Sequence, residues 1–289
     1  MDIMKSCNLC RGKSYVYANF EDYKLLKCIG CGLLFTDQDS IIKKDLYSID
    51  YFKSIHANFF ADCGRDYKNC INKSKKLQNF LRVLNRIKKI KKNGILLDVG
   101  SATGVFLDMA KKNGFNVKGV DVSSYACKCA KNWFNLNVEC GKLEDLNLKD
   151  NSFDIITMWD LIEHAPDPKQ LLAEVNRLLK KDGIIFILTV NDNSLMGWLA
   201  DFSYKLSFKR FKRFIKLIHP IHHNYHFKLK YINRYLEDGG FKIIWKEKSE
   251  MPLENIEQDK IIKFFARFLY LFSNILNLQH EIRLIARKK

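Results

Sequence analysis

Apolar residues in this chain fall into short continuous runs separated by longer stretches of helical period. Residues 95–99 read Ile-Leu-Leu-Asp-Val, and 117–120, 153–158 and 184–190 are similar apolar runs. Runs of this length between turn residues predict buried strands. Leu77, Phe80, Leu81, Leu84 and Ile87 fall at i, i+3, i+4 spacing and predict a helix over 74–92. Residues 123–134 predict another, with Ser123 as N-cap, and 138–140 a short strand. Asp167-Pro168 reads as a cap followed by proline at the first helical position. It leads a helix whose face carries Leu171, Leu172, Val175, Leu178 and Leu179, ended by Gly183. Such alternation predicts an α/β fold: a parallel sheet with helices on both faces and ligand at the strands' C-terminal ends. Residues 241–247 and 281–286 would be two closing antiparallel strands.

The sharpest chemistry lies after the first of these strands. Gly100 to Gly104 (Gly-Ser-Ala-Thr-Gly) would turn the strand into a helix starting near Thr103. Such a turn lets backbone approach a ligand and points helix N-terminal N–H groups at it. The next strand ends at Asp121, about 20 residues on, where nucleotide-binding folds place the carboxylate that holds ribose hydroxyls.

These residues carry a resemblance. Asp98-Val-Gly-Ser-Ala-Thr-Gly104 resembles the first motif of class I S-adenosylmethionine-dependent methyltransferases, and Gly119-Val-Asp121-Val-Ser123 the second. Asn151-Ser-Phe-Asp154, Asp160-Leu-Ile-Glu163-His164-Ala-Pro-Asp167-Pro168 and Arg177-Leu-Leu-Lys-Lys-Asp-Gly183 are similar to the rest of that fold's core, so the likeness spans residues 46–250. It implies a Rossmann-like seven-stranded sheet and S-adenosylmethionine as methyl donor. On this resemblance the donor-binding residues are Asp98, Gly100, Ala102, Gly104, Asp121, Val122, Leu143, Glu144 and Trp159. The chain departs from the pattern twice. Ala102 replaces the middle glycine, and Lys142 stands where relatives often have an acid for the adenine amino group, which leaves that role to Glu144 or to backbone near Leu143.

The segment around Asp160, Glu163 and His164 is similar to that of ubiquinone-biosynthesis O-methyltransferases, where it is associated with a divalent metal. The alternative is that Asp160 lines the donor pocket while Glu163 and His164 serve helix start and packing. Similar enzymes also carry a Pro-x-x-His…Phe segment that closes over the substrate, and the His219–Phe227 stretch is a polar cluster of that kind. Asp160, His164 and His222 are the catalytic candidates. His226 is the alternative to His222 for facing the acceptor, and the remaining histidines of 219–226 are expected to be solvated.

Cys7-x-x-Cys10 and Cys28-x-x-Cys31 flank two strand-like runs, 15–20 and 25–27. Paired turns of this kind make a closed four-sulfur site, the structural zinc pattern, and predict a zinc ribbon. A segment so small buries little core, so the metal would supply its folding energy. The other cysteines, Cys63, Cys70, Cys127, Cys129 and Cys140, read as small buried apolar residues. The Tyr47, Tyr51 and Phe52 segment is either a cover over the donor or a plug between modules. The expected organisation is a ribbon over 1–45, a linker with lid helices over 46–93, and a methyltransferase domain over 94–289 with a helical insertion at 194–230.

Composition adds a partner class. The chain has 289 residues and a formal charge of +17. Its first residues carry no apolar run of the signal-peptide kind, and the expected location is cytoplasmic, with the inner membrane face as a peripheral site. Residues 194–218 interleave Trp198, Phe202, Phe208 and Phe211 with six basic residues from Lys205 to Lys216; 261–277 are apolar nearly all round. Both suit either amphipathic helices on anionic lipid or a packed helical cap. The acceptor expected is therefore a small molecule or a lipid-linked one: sugar, glycan or quinone-like phenol. An RNA methyltransferase is the enzymatic alternative. It is disfavoured because the fourth strand ends in Trp-Asp and no RNA-binding aromatic motif is present. A non-catalytic nucleoside-fold adaptor is the alternative of another class, opposed by the intact Asp98, Gly100, Gly104 and Asp121 set.

Overall fold

The computed structural model describes residues 3–41, 74–253 and 260–289. The Tyr47, Tyr51 and Phe52 segment, Cys63 and Cys70 lie outside the described residues. In chain order the elements are β1 (Ile3–Ser6), β2 (Lys13–Asn19), β3 (Lys24–Cys28), β4 (Leu34–Thr36), α1 (Lys75–Ile90), β5 (Ile95–Val99), α2 (Val105–Lys112), β6 (Asn116–Asp121), α3 (Ser124–Phe134) and β7 (Val138–Cys140). There follow β8 (Phe153–Trp159), α4 (Pro168–Leu178), β9 (Leu179–Val190), α5 (Leu195–Leu206), α6 (Arg213–Ile218), β10 (Tyr225–His226), α7 (Leu229–Asp238), β11 (Phe241–Ser249), α8 (Lys260–Ile275) and β12 (Glu281–Lys288). The strands form a seven-stranded sheet in the order β11-β12-β9-β8-β5-β6-β7 and a five-stranded sheet in the order β1-β2-β3-β4-β10. The α/β expectation holds.

The chain divides into two compact units. One comprises residues 45–159, 173–186 and 286–289. At its centre β5 pairs in parallel with β6 and with β8, and β6 with β7. Leu96, Leu97, Ile155 and Ile156 are fully buried, each stabilising by about 1.5–3 kcal/mol relative to exposure. Ser123 caps α3 by accepting from Ala126 N–H. The other unit comprises residues 1–44, 160–172 and 187–285 and contains the whole five-stranded sheet. Tyr17, Phe20, Tyr23 and Leu25 of that sheet bury against Ala200 and Tyr204 of α5 and Ile215 of α6. Its fifth strand comes from far along the chain: Tyr225 and His226 pair antiparallel with Phe35 and Leu34.

Three elements differ from expectation. The first helix after the turn starts at Val105, not Thr103, because Gly104 is left-handed at φ +85° and cannot be helical. Helix α4 stops at Leu178, well before Gly183. Ser152 N–H takes the Leu178 carbonyl at 2.9 Å and Lys180 pairs with Asp154 at 2.8 Å, so the chain enters the sheet there instead. Residues 194–218 form two helices, broken where Phe208 and Lys209 adopt φ of +52° and +66°.

Ala102 also sits in the left-handed region, at φ +47°. A side chain there costs about 1–2 kcal/mol relative to glycine. Ala102→Gly should therefore raise unfolding stability by about 1 kcal/mol. Gly104→Ala should lower it, since its Cβ would lie 2.7 Å from Leu136 Cδ1 and 2.9 Å from Ala130 Cβ. Urea denaturation of the two variants measures both; equal midpoints would remove the strain argument.

Candidate functional site

In the first unit, the turn after β5 is tied to the end of β6. Gly100 and Ser101 N–H groups both donate to Val120 O, at 2.8 and 3.0 Å. Asp121 completes the tie: one carboxylate oxygen accepts from Ala102 N–H and the other from Ser123 N–H, each at 2.8 Å. Burial raises the Asp121 carboxyl above its ordinary range, against these two bonds. Gly119 backs the turn, and a Cβ there would stand 2.8 Å from Ser101 Oγ. Asp98 is buried and accepts from Thr157 Oγ1 at 2.6 Å. Burial pushes its carboxyl up to about 8, with the neighbouring Asp121 charge adding to the effect.

Two polar atoms are buried here with no partner: Ser101 Oγ and Trp159 Nε1. The Trp159 ring packs among Phe80, Phe106 and Phe186, at centroid distances of 4.7, 4.9 and 4.6 Å. Val122 is exposed beside Asp121, Leu143 is buried, and Glu144 is half-buried. Lys142 is exposed. A buried polar atom without a partner costs stability unless a ligand satisfies it. Ser101 Oγ and Trp159 Nε1 thus have unused hydrogen-bonding capacity beside the turn.

In the second unit the histidines pack together. His164 stacks on His222 with centroids 5.5 Å apart and meets His223 edge-on at 4.9 Å. His219 and His226 pack at 4.5 Å and both are buried, so the expectation of solvated histidines is corrected. His219 Nε2 lies 2.8 Å from Asp192 Oδ1, and His164 Nδ1 lies 2.8 Å from the His222 carbonyl. Glu163 is buried; its Oε2 accepts from Thr189 Oγ1 at 2.8 Å, while Oε1 has no partner. Burial lifts the Glu163 carboxyl to about 7 and lowers His222 to about 4. His164, His223 and His226 are lowered as well, again chiefly by burial.

Glu163, His164 and His223 bring one ligand atom each within 4.8 Å of one another. Asp160 is not in this group, which corrects the expected Asp160, Glu163 and His164 set. Asp160 is exposed at φ +46°, its N–H held by Leu188 O at 3.0 Å. His223 Nδ1 and Glu163 Oε1 are both buried without partners.

Sequence reasoning missed Asn224. Its N–H donates to Glu163 O and its side-chain amide to His164 O, both at 2.7 Å. Its carbonyl accepts from Thr36 N–H at 2.9 Å, and its Oδ1 accepts from Gln38 Nε2. A lone Asn in a polar loop gives no periodic or motif signal. Residues 225–226 are too few to read as a strand.

The four N-terminal cysteines also converge, with all Sγ atoms within 4.8 Å. Cys7 and Cys31 Sγ are 3.7 Å apart, and Cys10 and Cys28 Sγ 3.4 Å. Tetrahedral zinc with ~2.3 Å bonds sets sulfur atoms about 3.8 Å apart, so the set fits such an ion. Gly12 makes room: a Cβ there would stand 3.2 Å from Cys10 Sγ. Cys127 and Cys129 are buried as expected, but Cys140 is exposed.

The parallel strands, the glycine turn and the acid ending β6 together define a Rossmann-like methyltransferase fold. A family described as "Methyltransferase domain" matches residues 72–246. The chain belongs to that family, within the class I S-adenosylmethionine-dependent methyltransferases. Among curated relatives, the ubiquinone biosynthesis O-methyltransferase of Coxiella burnetii (strain RSA 493 / Nine Mile phase I) is 35% identical over 144 residues, 46% of this chain and 61% of that protein. The ubiquinone biosynthesis O-methyltransferase of Neisseria meningitidis serogroup A is 33% identical over 106 residues, 34% of this chain and 44% of that protein. The chain thus matches less than two thirds of these relatives' own length. A methyltransferase structure from Archaeoglobus fulgidus superposes with TM-score 0.53 at 21% identity, covering 77% of this chain and 98% of that one. The [4+2]-cyclase SpnF superposes with TM-score 0.50 at 17% identity, covering 72% and 80%. At such identities the likeness is one of fold.

The Asp98 carboxyl has a pH consequence in the ligand-free protein. Its raised value means that between about pH 4 and 8 the folded state keeps a proton the unfolded state has lost. Stability attributable to Asp98 therefore falls as pH rises through that window, by up to about 1.4 kcal/mol per pH unit. Asp98→Asn should remove this slope, so its stability relative to wild type should be higher at pH 8 than at pH 5. Urea titrations of both proteins at the two pH values measure the difference; a pH-independent difference would refute the assignment.

Proposed function

We propose that this chain transfers the methyl group of S-adenosylmethionine to a hydroxyl of a small-molecule or lipid-linked acceptor, with a quinone-like phenol as the leading candidate. The observation that carries the donor half is the Asp121 tie. Each carboxylate oxygen accepts one backbone N–H and keeps a second acceptor direction, which suits the two ribose hydroxyls. Val122 offers adenine an apolar face, with Leu143 and Glu144 at its edge. Gly100 and Ala102 keep side-chain bulk small at the turn where the donor would lie, and Gly104 lets the turn pack on Leu136 and Ala130. Ser101 Oγ and Trp159 Nε1 have unmet hydrogen-bonding capacity for it. A sulfonium near Asp98 would favour the ionised carboxylate that burial opposes.

The donor supplies an activated methyl on a good leaving group. The protein has to align the acceptor, exclude water and receive the hydroxyl proton. The O-methyltransferase names of the relatives support a hydroxyl acceptor. Asp160, His164 and His222 are the candidates for orienting it and taking its proton. Glu163, His164 and His223 would hold a divalent cation, which would lower the pKa of a coordinated hydroxyl. Residues 1–45 would be a zinc module, 46–93 a linking segment and 94–289 the methyltransferase domain, with 194–230 inserted. Cys7, Cys10, Cys28 and Cys31 would hold a structural zinc with no open coordination position. Nucleic acid is not a proposed substrate.

Asp121→Ala should weaken S-adenosylmethionine binding by roughly 1–3 kcal/mol, the cost of losing a charged hydrogen-bond partner. Calorimetric titration measures it, and unchanged affinity would remove Asp121 from the site. Transfer of labelled methyl from the donor into quinone-precursor phenols, and not into RNA, tests the acceptor class.

Freshly purified protein should carry one zinc per chain, and Cys28→Ser should release it. Elemental analysis finding no zinc in chelator-free preparations would overturn the ribbon reading.

A further inference from the structure

Helix α5 has two apolar faces. Ala200 and Tyr204 bury against the five-stranded sheet. Trp198, Phe202 and Leu206, at i, i+4 and i+8, are exposed on another side. Helix α8 repeats the pattern: Phe264, Phe268, Leu271, Phe272 and Ile275 form one exposed stripe along it. The two helices touch, and Leu195 N–H at the start of α5 donates to Leu278 O beyond α8, at 2.8 Å. Exposed apolar residues occur singly on any protein, but a continuous set marks an interaction surface.

The loop between α5 and α6 adds an independent observation. Phe208 is 87% exposed and held at φ +52°, a conformation that disfavours any bulky side chain. The chain thus presents a phenyl ring to solvent from a strained backbone. Around it Lys209, Arg210, Lys212 and Arg213 are all exposed, and no acidic residue occurs between 202 and 221. Of the flanking cations, Lys205 pairs with Asp201 at 2.5 Å and Lys216 with Asp22 at 2.8 Å.

We propose that α5, the 207–212 loop and α8 form a surface that docks on an anionic phospholipid bilayer. Aromatic and aliphatic side chains would enter the headgroup boundary, while the three loop cations and Arg213 at the start of α6 contact lipid phosphates. Their long stems suit this, since Lys and Arg bury methylenes and keep the charge at the interface. A polyanion such as RNA would use the cations but leave Leu206, Leu271 and Ile275 without a partner. No helix among the described residues is long and apolar enough to cross a membrane, so the contact is peripheral. The proposal does not depend on the methyl-transfer reading.

Co-sedimentation of the intact chain with phosphatidylcholine–phosphatidylglycerol vesicles, with pure phosphatidylcholine vesicles as the comparison, tests it. Binding to the anionic vesicles is expected at low salt, weakening at least about tenfold near 0.5 M salt as the Debye length shrinks. Replacing Lys209, Arg210, Lys212 and Arg213 by Gln should weaken it by on the order of a hundredfold or more. The triple change Phe202→Ser, Phe208→Ser and Phe268→Ser should also abolish sedimentation. All these side chains are exposed, and an unchanged circular-dichroism melt verifies folding. Trp198 emission should shift to the blue on vesicle binding, and Trp198→Phe should lose that shift. Absence of binding to anionic vesicles at low salt would overturn the proposal. So would retention of binding by the Phe variant, which would show adsorption by charge alone. Binding of polyuridylate RNA in place of vesicles, sensitive to the Gln changes, would reassign the surface to nucleic acid.

Discussion

The proposed donor half of the site depends on one carboxylate. Asp121 receives Ala102 N–H from the turn after β5 and Ser123 N–H from the start of α3, both at 2.8 Å. The first bond connects the ends of two parallel strands and holds Ala102 in a left-handed conformation that its side chain disfavours, and the second fixes the chain as it enters α3. Packing around the turn requires glycine at positions 104 and 119, where any Cβ would collide with neighbouring side chains. An apolar residue at 121 would leave two backbone donors without their acceptor and free the turn to relax. Strand order, glycine placement and the position of the acid thus form one constraint, and ribose recognition would be its use.

Asn224 plays the comparable part in the other unit. Its backbone and side chain bond the Glu163, His164 and Thr36 main chains and the Gln38 side chain. Next to it, Tyr225 and His226 complete the cysteine-bearing sheet. Tyr23 OH donates to His219 O and Thr36 Oγ1 to His223 O, the latter at 2.6 Å. The cysteine-bearing sheet therefore supports the histidine segment directly, and a metal held by its four cysteines would also help to order His219 to His226. Metal sites in small modules commonly have such a folding role.

The elements with strong local signals were legible in the sequence. The strand at 95–99, the Ser123-capped helix and the paired Cys-x-x-Cys turns depend on periodicity and spacing over a few residues. Features set by distant pairing were not. The two residues of β10 are a strand only because β4 supplies the ladder, and His223 joins Glu163 and His164 because Asn224, the His222 carbonyl and Tyr225 fasten the two segments together. Asp160 stays outside that group and has a left-handed backbone, and no spacing rule reveals either. The end of α4 at Leu178 was hidden for the same reason: the Ser152 N–H bond to Leu178 O overrode a good helical pattern. Burial of His219 and His226 could not be foreseen in a segment whose composition reads as polar loop.

A fold shared with a [4+2]-cyclase at TM-score 0.50 shows why site chemistry, and not architecture, has to identify the reaction. The most direct measurement is a crystal structure of the chain grown with S-adenosylhomocysteine. The expected result places the ribose hydroxyls on Asp121, adenine against Val122 and the amino-acid end near Gly100 to Gly104, with Ser101 Oγ or Trp159 Nε1 acquiring a partner. A ligand bound elsewhere, or a turn left empty at saturating ligand, would contradict the donor site and with it the proposed methyl transfer.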